Sequence, residues 1–190
     1  MFLYFRTKYA MRLEINSGLA ISIACFLWQL LEFKLGFHTS RIDYFPFITW
    51  LVLIIPITGY YWAIRLKRDK FYEGKINFLQ ALVTGVKITA VCMVILPLFS
   101  WLYIAVINPL YLTAMYNHHL ELIESLNLSN LMEKEALKKD AIKEFSTAGY
   151  LVQRFLVSLI AGGILSLIIA GVIQKDKRPT LPEETETPIV

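Results

Sequence analysis

The sequence predicts an all-α polytopic membrane protein with four transmembrane helices and an extracytoplasmic helical hairpin between helices 3 and 4. Of its 190 residues, 56% are apolar and only 18% are charged, whereas about a quarter of the residues in a typical soluble domain are charged. The mean hydropathy is +0.53. Four stretches are apolar over the roughly 20 residues that a helix needs to cross a bilayer. These features exclude a disordered chain and a disulfide-rich scaffold, and they argue against a soluble enzyme.

The four predicted spans are residues 15–35, 45–64, 78–107 and 150–173. The second span carries no charge, and the third carries one, Lys87. We expect the spans and their connections to form a single domain over residues 1–177. Residues 178–190 contain three prolines and three glutamates, a composition typical of disorder, so we predict a disordered cytoplasmic tail there.

Capping patterns mark both ends of the third span. Asn77 precedes the span, and Gln80 stands three residues later, where the two side chains can form a reciprocal capping box. At the other end, Asn108 is expected to cap a new helix whose first residue is Pro109, because a missing N–H costs little at that position.

The pattern of residues 108–149 predicts two amphipathic helices in this connection. The first, over residues 109–125, would place on one face the apolar residues Leu112, Met115, Tyr116, Leu122 and Ile123. The second would begin at a capping pattern formed by Asn130 and Glu133. Its apolar stripe would comprise Leu137, Ala141, Phe145 and Ala148, with Glu135 and Lys139 paired on the opposite side.

The distribution of basic residues predicts the orientation. Eleven lie in the N-terminal segment, the second connection and the C-terminal tail, and six lie in the first and third connections. Basic residues collect on the cytoplasmic side of membrane proteins. We therefore expect both termini in the cytoplasm and the helical connection outside.

Small residues in two spans predict close helix contacts, because helices in lipid associate through such residues. The candidate packing residues are Gly18 and Ser22 in the first span, and Ser158, Gly162, Ser166 and Ala170 in the fourth. They could pack within the bundle or, alternatively, in a homodimer. Pro56 and Pro97 are expected to kink or loosen the second and third helices.

Lys87 is the candidate ligand-binding residue. It lies nine positions beyond Phe78, the start of its span, and an ammonium group inside a bilayer needs a partner or water. It could bind an anion or a carboxylate in a cavity, or its long side chain could reach the headgroups. We expect no acid at a matching depth. Glu32 and Arg154 lie near the outer ends of their spans and could form a pair.

No motif indicates catalysis, a cofactor or a metal site. Cys25 and Cys92 lie in apolar stretches and are expected to be packing residues. His118 and Glu121 are one helical turn apart, but a closed metal site needs three or four ligands. Phosphate-binding, dinucleotide-binding, zinc-protease and hydrolase signatures do not occur in the chain.

Several motifs in order resemble one family. They are the small residues around Gly18, the segment 74–81 followed by Gly85, the triplet 107–109 before the charged connection, and the segment 162–170 before a basic tail. Together they resemble an uncharacterised bacterial family of four-span inner-membrane proteins, the domain of unknown function number 4199. The resemblance implies the four-helix layout and a bacterial inner membrane, and it supplies no catalytic residues. Lys87 and the His118–His119 pair are outside the pattern.

These observations favour a non-catalytic protein that binds a partner or organises the membrane. The alternative is a small oligomeric transporter or channel subunit. A membrane enzyme using the region of His118 and Glu121 is a weaker third hypothesis. The expected partners are the lipid bilayer and either a second copy or another membrane protein. The pI near 9.0 reflects basic residues beside the spans rather than nucleic-acid binding.

Overall fold

The computed structural model describes residues 2–126 and 131–174, with side chains described from Met11 onward. These residues form seven α-helices and no strand. The helices are α1 (Phe2–Lys34), α2 (Phe45–Trp50), α3 (Ile54–Phe71), α4 (Phe78–Leu102), α5 (Tyr111–Ser125), α6 (Leu131–Glu144) and α7 (Thr147–Ile173). The all-α prediction is confirmed.

Four helical segments are long and apolar enough to cross a membrane, as predicted. They are Met11–Lys34, Ile42–Phe71, Phe78–Ile107 and Thr147–Ile173. The second is longer than predicted, because α3 continues through the basic residues after Ile64 to Phe71. One of those residues, Lys67, is buried beside an acidic partner, so the charged stretch does not end the helix.

The two span prolines have different effects. The second span is divided into α2 and α3 by a 3₁₀ turn, Leu51–Leu53. Pro56 follows this turn in the first turn of α3, where its lack of an N–H and its ring disfavour a continuous helix on the preceding side. Pro97 lies inside α4 without ending it. A π-helical turn, Tyr103–Ile107, completes the third span.

One predicted cap is confirmed, and the other is wrong. The Gln80 amide donates to Asn77 Oδ1 at 2.9 Å, and the Asn77 amide donates to Gln80 Oε1 at 3.2 Å. Asn108, by contrast, caps no helix, since α5 begins at Tyr111 without a side-chain cap. The Asn108 side chain is instead buried and donates to the Tyr103 hydroxyl at 3.0 Å.

Helices α5 and α6 contact each other, but their buried faces differ from the prediction. In α5 the buried residues are Tyr111, Met115 and Ile123, and the predicted Leu122 is exposed. Of the predicted stripe only Ala141 is buried. Leu137 is exposed, and Phe145 and Ala148 lie beyond the end of α6 at Glu144. The capping pattern at Asn130 lies outside the described residues.

Ion pairs join α6 to α5. Lys138 and Lys134 lie 2.9 and 3.5 Å from Glu124 of α5, whereas the structure records no pair between Glu135 and Lys139. The hydrogen bond from Lys138 lowers the pKa of the Glu124 carboxyl, and the same hydrogen bond raises the pKa of the Lys138 amine. These charges lie outside the spans and orient α6 along α5.

The small residues of the fourth span lie at the contact between α4 and α7. A Cβ atom on Gly162 would lie 2.6 Å from the Thr89 side chain, and one on Gly85 would lie 2.5 Å from Ser166 Oγ. Ala170 is fully buried as well, while Ser158 is half-buried. These backbones approach so closely that no larger side chain fits between them.

The first span packs on α4 in a similar way. A Cβ on Gly18 would lie 2.6 Å from Val91, and Ser22 is fully buried. The Ser22 hydroxyl donates to the Gly18 carbonyl within α1 at 2.8 Å. Because of this contact, Gly18 of α1 and Val91 of α4 lie at the same depth along the bundle.

Candidate functional site

A cavity of about 160 Å³ lies among α1, α3, α4 and α7. Its wall is mainly apolar, with Phe26, Leu96 and Leu165 among its residues. Along α1 it extends from Ile21 to Glu32, a distance of about 16 Å at the helical rise per residue, or half of a bilayer core. The cavity therefore reaches from the middle of the bundle toward the end that carries α5 and α6.

Tyr60 lies at the end of the cavity nearest the middle of the bundle. Its hydroxyl lies 2.9 Å from Thr89 Oγ1, and Thr89 Oγ1 lies 3.5 Å from Ser166 Oγ. All three side chains are buried at the α3–α4–α7 contact. Cys92 lies beside them, and Cys25 lines the cavity farther along α1. Both cysteines are free, with Cys92 buried and Cys25 half-buried.

Glu32 lies at the other limit and is only 5% exposed. Its Oε1 atom accepts hydrogen bonds from Trp28 Nε1 at 2.7 Å and from Thr49 Oγ1 at 3.0 Å. Trp28 is one turn earlier on α1, and Thr49 comes from α2. A carboxylate in lipid is costly unless it is hydrogen-bonded, and these donors supply that stabilisation.

His38, in the connection after α1, faces the other Glu32 oxygen. Its Nε2 lies 3.4 Å from Glu32 Oε2, and its Nδ1 lies 2.5 Å from the Tyr103 hydroxyl. Asn108 donates to the same hydroxyl, so Tyr103 joins His38 to Asn108. The His38 Nε2 atom is buried and makes no hydrogen bond, so it faces Glu32 only at ion-pair distance.

Aromatic rings enclose the His38 imidazole. The rings of Tyr111, Phe45 and Tyr103 have centroids 4.9, 5.1 and 5.6 Å from it. The Tyr111 ring also contacts Tyr150 of α7 at 5.7 Å. Burial raises the pKa of the Tyr111 hydroxyl well above its ordinary value. This cluster fixes α5 against the ends of the spans.

Arg154 of α7 lines the same cavity as Glu32. Its guanidinium carbon lies 5.0 Å from the centre of the Tyr150 ring, within range of a cation–π interaction. Its Nε atom is buried and has no hydrogen-bond partner. The structure records no ion pair between Arg154 and Glu32, although the sequence allowed one. The Glu32 oxygens are occupied by Trp28 and Thr49 or face His38.

A second cavity, of about 320 Å³, adjoins the first near Arg154. It lies among α2, α5 and α7 and is lined by Met115, His118 and Phe145 among others. Three residues line both cavities, namely Thr49, Arg154 and Val157. Arg154 therefore stands at the boundary between the two spaces.

A separate charged cluster lies at the opposite end of the bundle. Glu14 of α1 is 1% exposed, and it forms a hydrogen-bonded ion pair with Lys67 of α3. Lys87 Nζ of α4 lies 3.6 Å from the same Glu14 oxygen, and the Lys87 side chain is 52% exposed. The other oxygen, Glu14 Oε2, is buried without a hydrogen-bond partner.

This cluster corrects the expectation that Lys87 has no acid at its depth. Gly18 of α1 packs against Val91 of α4, and the two helices are parallel as the first and third spans of an alternating bundle. Glu14 and Lys87 each lie one turn before that contact, so they meet. Lys87 lines neither of the two cavities.

The histidines of α5 line the second cavity and lie apart from the Glu14 cluster. His118 Nδ1 is 3.7 Å from Asp43 Oδ1, and the His119 ring contacts Phe145 at 5.5 Å. Among residues 2–126 and 131–174, no group of three or more His, Cys, Asp or Glu side chains could hold a metal ion.

Comparison with known families identifies the chain. A family model described as protein of unknown function (DUF4199) matches residues 16–175. The chain belongs to this family. The match includes most of every span, and it confirms the resemblance seen in the sequence. The comparisons with curated proteins and with solved structures gave no match.

The sequence of this DUF4199 protein did not indicate that His38 contacts Glu32 and Tyr103. His38 was not a candidate, because it lies six residues beyond Glu32 and beyond the predicted end of the helix. Its one signal is the position of Gly36, which adopts a positive φ of 83° and lets the chain turn back. Trp28 and Thr49 were also missed, since Arg154 was the partner considered for Glu32.

Proposed function

We propose that this protein is a non-catalytic binding protein of the membrane, and that its α5–α6 hairpin docks on a partner membrane protein. The supporting observation is the exposure of α6. Of its fourteen residues, one is buried, Ala141. Leu131 and Ile142 are 76% and 59% exposed, and their spacing of three turns places them on the same side of the helix.

The position of α6 is nevertheless fixed. Glu124 of α5 holds Lys134 and Lys138, and the Ser146 hydroxyl caps α7 by accepting from the Gly149 amide at 3.0 Å. A helix that is fixed by its neighbours yet buries so little of its own surface suits docking, in which an exposed helix face supplies apolar anchors. The proposal places this face outside a bacterial inner membrane, with both termini in the cytoplasm, in accord with the basic residues of the connections.

Site-specific photo-crosslinking in native membranes tests the proposal. A photoreactive residue at position 131 or 142 should give one discrete adduct with another membrane protein. The matched control is position 172, since Val172 is 70% exposed on α7 at the other end of the bundle and should give lipid adducts alone. The double variant Leu131→Glu, Ile142→Glu should insert normally and lose the partner. Only lipid adducts at positions 131 and 142 would refute docking.

Point substitutions are preferable to removal of residues 109–148. Helix α5 buries Tyr111 and Met115 against the spans, so deletion of the whole connection would also open the bundle. Loss of co-purification after that deletion would then have two explanations. Substitutions on α6 leave these contacts in place.

A second candidate function is an oligomeric transporter or channel subunit. The supporting observation is that ionisable side chains are buried at both ends of the spans, with a cavity between four of the helices. Such residues mark transport pathways in many membrane proteins. Gly162, Ser166 and Ala170 are buried within the protomer, so an oligomer would have to form through another surface.

Flux measurements distinguish this candidate from the first. The protein reconstituted in vesicles should then conduct an ion or solute, and Glu32→Gln, which changes a buried side chain of the cavity, should remove that flux at unchanged expression. Absence of flux from the parent protein, or unchanged flux in the variant, would count against transport.

A further inference from the structure

We propose that the cavity among α1, α3, α4 and α7 is a binding site for a small apolar monocarboxylate, and that Arg154 binds its carboxylate. This inference is independent of the docking function. It starts from Arg154, whose Nε atom is buried without a hydrogen-bond partner. Arginine remains charged at any physiological pH and has five N–H donors but no acceptor.

Among the described residues, Arg154 has only uncharged partners. It is half-buried and contacts the side chains of Tyr150 and Tyr111, with the Tyr150 ring 5.0 Å from the guanidinium carbon. Such contacts offset only part of the cost of burying a cation. The carboxylate in the same cavity, Glu32, is held by Trp28 and Thr49 and faces His38. An anionic acceptor is therefore what the site lacks.

A carboxylate is the acceptor that fits a guanidinium best, because two parallel N–H···O bonds can form. Arg154 lies seven residues beyond Thr147, which is about 10 Å into its span. A large headgroup at that depth would have to leave the interface, whereas a carboxylate adds only two oxygen atoms to an apolar body. The neighbouring wall, with Phe26, Phe99 and Leu96 among its residues, suits such a body.

The size of the cavity limits the ligand. A volume of about 160 Å³ is close to that of an engineered apolar cavity that holds benzene, about 150 Å³. The ligand should therefore have an apolar body of about six heavy atoms. The shared boundary at Thr49, Arg154 and Val157 provides a route from the second cavity. A ligand that entered by this route would meet Arg154 before it reached the apolar wall.

Trp28 lines the cavity and provides the readout. The other three tryptophans, Trp50, Trp62 and Trp101, are more than half exposed and can be replaced by Phe to leave Trp28 alone. A bromine atom quenches indole fluorescence on contact. In nanodiscs, 6-bromohexanoate should quench Trp28 with a saturable dependence on concentration, and 6-bromohexanol should bind at least tenfold more weakly.

Three variants then test separately whether the ligand binds in the cavity and whether Arg154 binds its carboxylate. Arg154→Gln should weaken 6-bromohexanoate binding at least tenfold and leave the weak binding of 6-bromohexanol unchanged. Ala161→Phe, which places a ring in the cavity, should abolish saturable quenching by both compounds. Lys143→Gln, which removes an exposed charge outside the spans, is the matched control and should have no effect.

Each contrary result has a definite meaning. Quenching that rises without saturation, and equally in Ala161→Phe, would show partition into lipid and overturn the site. Equal affinity for 6-bromohexanol would overturn the role of the carboxylate. Equal affinity for hexyl phosphate, measured by competition, would overturn the assignment to a carboxylate ligand. If Arg154→Gln does not fold, the comparison of the acid with the alcohol on the parent protein still decides.

Discussion

The carboxylate of Glu14 on α1 lies 3.6 Å from the amine of Lys87 on α4. Lys67 of α3 binds the same carboxylate from the other side. Three of the four spans thus contribute one charged side chain each to a single cluster, and Glu14 is its only acid among the residues that the structure describes.

Replacement of Glu14 by Gln should strongly destabilise the bundle. The buried Lys67 would lose its anion, and the loss of one partner from a buried pair costs about 3–5 kcal/mol in soluble proteins. Thermal unfolding of the purified protein in nanodiscs would measure the effect. Glu135→Gln, on an exposed face of α6, is the matched control, and equal melting temperatures for the two variants would contradict the role of Glu14.

The two lysines of the cluster should differ in importance. The Lys67 side chain is 6% exposed and hydrogen-bonded to Glu14, whereas the Lys87 side chain is 52% exposed and lies farther away. Lys67→Leu should therefore lower stability substantially, since it leaves Glu14 without its main partner. Lys87→Leu should cost about 1 kcal/mol or less. The reverse order in the same unfolding measurement would contradict the structure.

Tyr103→Phe should destabilise the other end of the bundle. The change removes the partner of both His38 Nδ1 and the Asn108 side chain, and an unpaired buried polar group costs about 1–3 kcal/mol. Tyr44 is 62% exposed, so Tyr44→Phe should have no measurable effect on the melting temperature. A loss no greater than that of the Tyr44 variant would show that the network adds no stability.

Adjacent glycines of α7 should respond oppositely to Val. A Cβ on Gly162 would lie 2.6 Å from Thr89, whereas one on Gly163 would meet nothing within 4 Å. Gly162→Val should separate α7 from α4 and sharply reduce the yield of folded protein. Gly163→Val should be tolerated. Yield and melting temperature in detergent would check both, and a folded Gly162→Val protein would refute the close α4–α7 contact.

The attachment of α6 to α5 should depend on pH. The hydrogen bond from Lys138 lowers the pKa of Glu124 in the folded protein. This contact therefore stabilises the hairpin at pH values above the ordinary pKa of a glutamate carboxyl. The stabilisation should disappear as the pH falls below about 4, where the folded carboxyl also takes up a proton. Amide hydrogen exchange should then become faster in α6 than in α4. Glu124→Gln should remove the pH dependence, and an unchanged profile in that variant would exclude the ion pair as its cause.

Much of the architecture follows from local sequence properties. The apolar stretches and their lengths specify four spans, because the backbone groups of a segment in a bilayer must be hydrogen-bonded and a helix pairs them within the segment. The capping box at Asn77 is equally local, since its two partners are three residues apart. The predicted cap at Asn108 was wrong because its side chain binds the Tyr103 hydroxyl instead. The boundary near Glu144 was wrong because Ser146 caps α7, so that this helix begins before the predicted span.

The sequence by itself therefore determined the class, the number of spans and the family of this protein. Only the tertiary structure decided which charged residues meet. Glu14 reaches Lys87 because the contact between Gly18 and Val91 fixes the levels of two parallel helices. Glu32 faces His38 rather than Arg154 because the chain turns back after α1 and places the imidazole there. Both outcomes depend on the rotation and depth of each helix, and these are set by packing against neighbours rather than by hydrophobicity along the chain.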